Sequence, residues 1–122
     1  MAALTVLVAD DDPVTLQVLG TGLRHAGYKV VIAMDAMQTV MVAHRTKPDA
    51  IVLDVMMPGG TGFDVLKKLK VSSETQLIPV IAISGLPDPG LEEKVKDLGA
   101  DYFLPKPIHI PDLTQALDKL LA

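Results

Sequence analysis

Asp10, Asp11 and Asp54, with Asp12 beside them and with Ser84 and Lys106 later in the chain, are the side chains whose types and positions could do chemistry together. Each stands where an apolar run gives out. Leu4-Thr5-Val6-Leu7-Val8-Ala9 leads into Asp10-Asp11-Asp12-Pro13, and Ala50-Ile51-Val52-Leu53 leads into Asp54-Val55-Met56-Met57-Pro58. Carboxylates gathered at one point repel, and either protonate or recruit a cation. The donors are hard oxygens, with no cysteine in the chain and no histidine pair nearby, which suits magnesium better than zinc or copper. Once a metal and Lys106 offset the charge, one carboxylate can attack a phosphoryl group and form an acyl phosphate. Asp54, alone on its loop, suits the nucleophile; Asp10 and Asp11, adjacent in sequence, suit holding the metal. Lys106 would neutralise one phosphoryl oxygen and the Ser84 hydroxyl would donate to another.

Such a site requires strands that end side by side. An apolar run without polar alternation is the pattern of a strand covered on both faces. Strands are expected over Leu4 to Ala9, Tyr28 to Ala33, Ala50 to Leu53, Leu77 to Ile83 and Asp101 to Leu104, with Pro79 near the start of the fourth. Asp54 is expected at the rim of the sheet rather than inside it. The first helix opens on Pro13, carries Leu16, Leu19, Leu23 and Ala26 at helical spacing, and closes near Gly27. Asp35 caps a second helix whose Met37, Val40, Met41 and His44 share a face, with the Met37/Met41 pair read as core packing.

After the Pro58-Gly59-Gly60 loop, Thr61 is placed as the N-cap of a third helix with Asp64 three residues on and Phe63, Leu66 and Leu69 inward. Gly85 to Gly90 reads as a loop, Leu91 to Leu98 as a short helix closed by Gly99, and Asp112 as the cap of a last helix facing inward through Leu113, Ala116, Leu117 and Leu120. Strand then helix, five times over, is an open α/β fold with a parallel sheet between two helical layers. Ligands in such folds bind beyond the carboxyl ends of the strands, where all the polar residues above fall.

Composition narrows the function classes. A chain of 122 residues, 49% hydrophobic and 21% charged, is expected to form one globular domain without room for separate cofactor and substrate domains. A net charge of −4, with no basic cluster beyond Lys67-Lys68 and Lys70, argues against direct nucleic-acid binding. The absence of cysteine excludes a disulfide framework and a thiol nucleophile and agrees with a cytoplasmic location. No apolar run approaches the roughly 18 residues of a membrane span.

At this point the chain resembles a known family along its whole length, residues 1–122: the response-regulator receiver domains of two-component signalling. The acidic pair and following proline are Asp10-Asp11-Asp12-Pro13, and the phosphoacceptor loop is Leu53-Asp54-Val55-Met56-Met57-Pro58, followed by Gly62. The hydroxyl after the fourth strand is Ser84, and the last motif reads Gly99-Ala100-Asp101-Tyr102-Phe103-Leu104-Pro105-Lys106-Pro107.

The resemblance implies a flavodoxin-like α/β/α fold with strand order 2-1-3-4-5. It also implies phosphorylation of Asp54 from a phosphohistidine, and magnesium (or manganese in its place) held by Asp10, Asp11, Asp54 and the Met56 main-chain carbonyl. A cis Lys106–Pro107 bond belongs to the same pattern. So does a switch in which Ser84 moves toward the phosphoryl group and the ring of Phe103 turns inward, read out on the fourth helix, fifth strand and fifth helix. Phe103 has no hydroxyl to satisfy, which should favour its buried rotamer. The partners implied are a sensor histidine kinase or a histidine phosphotransfer protein, then an output domain, a docking target or a second copy. Any catalysis is confined to the domain's own phosphorylation and slow dephosphorylation. Met56 and Leu86, two residues beyond Asp54 and Ser84, are apolar and would give an attacking water no hydrogen bond, so a slowly hydrolysed acyl phosphate is expected.

Other readings compete. Asp10-Asp11-Asp12-Pro13-Val14 also fits the Asp-x-Asp-x-Val motif of haloacid-dehalogenase-like phosphatases, with Asp10 as nucleophile and Asp12 as acid/base. The chain is short for that fold, and the later acidic pair that fold carries on the metal side is absent after the fourth strand. Asp12 alternatively serves the N-terminus of the first helix. A flavin-binding relative is disfavoured by 3% aromatic residues, and a phosphorylation-independent docking module by the completeness of the site. His25, His44 and His109 do not cluster and read as structural or solvent-facing.

Overall fold

The computed structural model describes residues 3–57, 62–85 and 89–122. Within them five strands alternate with five helices: β1 (Thr5–Ala9), α1 (Pro13–His25), β2 (Lys29–Ala33), α2 (Ala36–Thr46), β3 (Ala50–Asp54), α3 (Gly62–Val71), β4 (Val80–Ser84), α4 (Leu91–Asp97), β5 (Tyr102–Pro105) and α5 (Ile110–Leu120). The strands form one parallel sheet in the order β2-β1-β3-β4-β5. No described helix is long and apolar enough to cross a membrane.

The three central strands are apolar on both faces because helices cover both. Leu7, Ala9, Ile51, Leu53, Val80 and Ala82 face α2, α3 and α4. Their neighbours Val6, Val8, Val52, Ile81 and Ile83 face α1 and α5, meeting Leu16, Leu19, Leu23, Leu113 and Leu117. Two aspartates pin the strand starts. Asp49 accepts from Thr5 N–H at 2.7 Å and returns its own N–H to the Thr5 carbonyl; Asp101 does the same with Val80, accepting at 2.9 Å. The sequence reading assigned neither residue this role, although each immediately precedes a strand.

Helix starts follow local chemistry. Asp12 caps α1 by accepting from Val14 N–H, ahead of Pro13, and Asp35 caps α2 by accepting from Gln38 N–H. Gly27 and Gly99, just past α1 and α4, take φ of 98° and 110°, the left-handed conformation that ends a helix and favours glycine.

Several expectations need correction. Met37 and Met41 are not core: they are 72% and 56% exposed, and α2 instead buries Ala36, Thr39 and Ala43. Ala36 and Ala43 join Ala9 and Ala33 in the core, with Val40 and Val42 packed half-buried against the same cluster. The fourth strand begins at Val80; Leu77 is 89% exposed in a turn closed by Ile78 N–H to the Thr75 carbonyl. Asp112 is not the cap of α5, which starts at Ile110 with His109 as N-cap, so Asp112 lies inside the first turn. Thr61, Leu86 and the Pro58-Gly59-Gly60 loop lie outside the described residues.

Candidate active site

Strand order creates the site. β1 and β3 are hydrogen-bonded neighbours with Ala9 opposite Leu53, so Asp10 and Asp54 emerge beside each other. Both are buried, Asp54 at 3% exposure, and Asp54 is the last residue of β3 rather than a rim residue beyond it. Asp11 is exposed. Each of the three carboxylates offers an oxygen within 4.8 Å of the others.

The two buried carboxylates are held alike. Asp10 Oδ1 accepts from Asp12 N–H and Asp54 Oδ1 accepts from Met56 N–H, both at 2.9 Å. These are side-chain-to-backbone turns that fix the chain as it leaves each strand. The remaining oxygens face Lys106, whose Nζ lies 2.7 Å from Asp10 Oδ2 and 3.0 Å from Asp54 Oδ2. The Lys106 N–H bonds to the Ser84 carbonyl at 2.8 Å, extending the β4–β5 ladder and bringing its side chain to this end of the sheet; the Lys106–Pro107 bond is cis.

Ser84 ends β4 one residue beyond the Asp54–Ile83 register pair and is 2% exposed. Phe103 is half-buried against the α2–α3–α4 side of the core, while Tyr102 and Leu104 face the other side.

Gly62 has a steric role in this geometry. Its N–H donates to the Val55 carbonyl at 2.9 Å, and a Cβ at this position would lie 2.8 Å from the Asp54 carbonyl oxygen and closer still to Val55 Cα. Helix α3 can press against the Asp54–Val55 backbone only because residue 62 has no side chain.

The electrostatics are those of a crowded acidic centre. Burial pushes the Asp54 carboxyl above its ordinary range and the Asp10 charge adds to this, while Met56 N–H and Lys106 pull it back. Burial works against the Lys106 charge, but the Asp10 and Asp54 carboxylates outweigh it and raise the ammonium above its usual value. Asp12 stands apart: its carboxylate accepts from Val14 N–H and from the Thr15 hydroxyl at 2.8 Å, bonds that hold it below the usual carboxylate range. That engagement in the α1 cap leaves it badly placed as an acid/base beside Asp10, against the phosphatase reading.

The donor set fits a divalent hard cation. Three carboxylates face one ammonium, an excess of two negative charges. Asp10 Oδ2 is fully buried, with the Lys106 ammonium 2.7 Å away as its counter-charge and a lone pair to spare. A buried anionic oxygen left this way is a ready ligand.

Comparison with known proteins agrees with this geometry. Residues 6–118 match the response regulator receiver domain family. The chain is 36% identical over 120 residues to the probable transcriptional regulatory protein TcrX of Mycobacterium tuberculosis, covering 97% of this chain and 50% of that one. It thus spans about half the length of that relative. Among solved structures, the chemotaxis response regulator CheY4 of Vibrio cholerae superposes with a TM-score of 0.90 at 29% identity, covering 98% of this chain and all (100%) of that one. The receiver domain of sensor histidine kinase PA1611 from Pseudomonas aeruginosa, solved with magnesium coordinated in its active-site cleft, superposes with a TM-score of 0.90 at 28% identity, covering 98% of each chain. By sequence, topology and the grouping of Asp10, Asp11 and Asp54, this chain belongs to the response regulator receiver domains.

Proposed function

We propose that the domain is a magnesium-dependent phosphoacceptor switch of two-component signalling in which Asp54 receives a phosphoryl group from a phosphohistidine. The observation that carries this reading is the Lys106 ammonium seated between Asp10 Oδ2 and Asp54 Oδ2. An oxygen of Asp54 attacks phosphorus, the P–N bond of the donor breaks, and the imidazole keeps the electron pair and takes up a proton. Lys106 would neutralise charge on a phosphoryl oxygen, and Ser84 would donate to another. Asp10, Asp11, Asp54 and the Met56 carbonyl would hold magnesium, or manganese in its place, and the bound ion would offset phosphoryl charge that the single lysine cannot.

Phosphorylation would then favour the state in which the Ser84 hydroxyl contacts the phosphoryl group and the Phe103 ring fills the space behind it. Such a change shifts a population between two states and is read on α4, β5 and α5. The donor would be a sensor histidine kinase or a histidine phosphotransfer protein in the cytoplasm. The output would be an attached domain, a docking target or a homodimer. With Met56 apolar beside Asp54, self-dephosphorylation would be slow.

The test is intact mass after incubation with magnesium and acetyl phosphate, followed by borohydride trapping and peptide mapping. One phosphoryl group on Asp54, absent in Asp54→Ala and suppressed by chelator, is the expected result. Modification at Asp10 would assign the phosphatase chemistry instead. No modification of a folded, magnesium-binding chain would leave a docking module.

A further inference from the structure

The outward methionines of α2 have no role in the carboxylate–lysine site. Helix α2 buries Ala36, Thr39 and Ala43, packs Val40 and Val42 half-buried against the core, and leaves Met37 and Met41 one turn apart at 72% and 56% exposure. Single exposed apolar residues are ordinary on a protein surface. Here, however, the pair lines a groove of about 520 Å³ between α2 and α3, with Ala36, Val40 and Val65 also contributing and Asp64, Lys67 and Lys68 along the α3 side. We propose that this groove docks an acidic amphipathic helix of a partner protein.

Two features select that occupant. A groove between two helices, lined by apolar residues a turn apart, matches the spacing of the apolar stripe on a third helix, and methionine can repack around different side chains. The charges select the sign. The α3 side presents two exposed ammonium groups against one carboxylate, and the Met37–Met41 stripe runs on to exposed Arg45 one turn later. The chain as a whole carries −4, whereas this groove is locally basic. Charge arranged in that way selects register and partner more than it adds raw affinity.

The test is methyl NMR on the chain labelled at its methionines, titrated with two synthetic helical peptides that share one leucine stripe and carry either glutamates or lysines beside it. The glutamate peptide is expected to shift the Met37 and Met41 methyl signals saturably and to bind at least about tenfold more tightly than the lysine peptide. Lys67→Glu with Lys68→Glu should weaken it at least about tenfold, and Met37→Gln with Met41→Gln should do the same, with circular dichroism confirming that these surface variants are folded. Equal binding of both peptides, shifts that spare Met37 and Met41, or no binding of the glutamate peptide would overturn the proposal. Shifts at Met37 and Met41 that follow the chain's own concentration without peptide would overturn it in favour of a second copy.

Discussion

Replacing Gly62 with alanine tests how the site is held. The added Cβ would lie 2.8 Å from two main-chain atoms, the Asp54 carbonyl oxygen and Val55 C, where ordinary contact begins at 3.4 Å. Neither atom belongs to a flexible side chain, so backbone must move. If α3 retreats, the Gly62 N–H to Val55 carbonyl bond of 2.9 Å is lost; if the β3 turn retreats, the Met56 N–H to Asp54 Oδ1 bond is lost. Overpacking of this kind costs about 1–3 kcal/mol and a hydrogen bond about 1 kcal/mol, offset by less than about 1 kcal/mol from removing a glycine from a helix end. A net loss of about 2–3 kcal/mol corresponds to a Tm lower by about 10 °C for a domain of this size. Urea unfolding followed by circular dichroism measures the loss, and the rate of Asp54 labelling by acetyl phosphate measures the displacement of the carboxylate. Gly27→Ala is the control: φ there is 98° with nothing within 4 Å, so it should lose stability from backbone strain while labelling stays normal. Wild-type stability and labelling in Gly62→Ala would refute the steric account.

The raised Asp54 carboxyl makes a pH prediction. A carboxyl held above its unfolded value destabilises the fold once ionised; the penalty is full above the raised value and gone below the unfolded value of 3.8. In chelator, Asp54→Asn should therefore be more stable than wild type at pH 7, with the gain fading as pH falls toward 3.8, and urea midpoints across pH would show this. Magnesium at ten times its Kd should stabilise wild type by about 1.4 kcal/mol and the variant less, which thermal melts with and without the metal would measure. Asp12→Ala should lose about 1 kcal/mol as an α1 cap is removed while phosphorylation of Asp54 continues; abolished phosphorylation would return Asp12 to the chemistry. Met56→Asn with Leu86→Glu should speed decay of the acyl phosphate, and an unchanged decay rate measured by intact mass would remove the shielding account.

Much of this protein was legible because its strands are covered on both faces. Continuous apolar runs ending in Asp10, Asp54 and Ser84 marked the strands and the end of the sheet that carries the polar groups, since the rise and pairing of parallel strands leave few other arrangements. Capping was legible at Asp35, and Asp12 was legible as a charge at the N-terminus of α1, where it also caps the helix. It failed at α5, where Asp112 drew attention although Pro111, near the first helical position, marks an earlier start.

The sequence by itself determined the fold class and the acidic residues that gather at the ends of β1 and β3, because strand periodicity and residue type are local properties. Only the tertiary structure decided which face of α2 is buried. The stripe Ala36–Thr39–Ala43 and the stripe Met37–Met41 are offset by one residue, and hydrophobicity favours the larger side chains, but the fold buries Ala36, Thr39 and Ala43 on the Ala9–Ala33 side and leaves both methionines exposed. Tertiary structure alone also set the pairing of Lys106 with two carboxylates more than fifty residues away and the approach of Gly62 to Val55, since both depend on distances between elements remote in the chain.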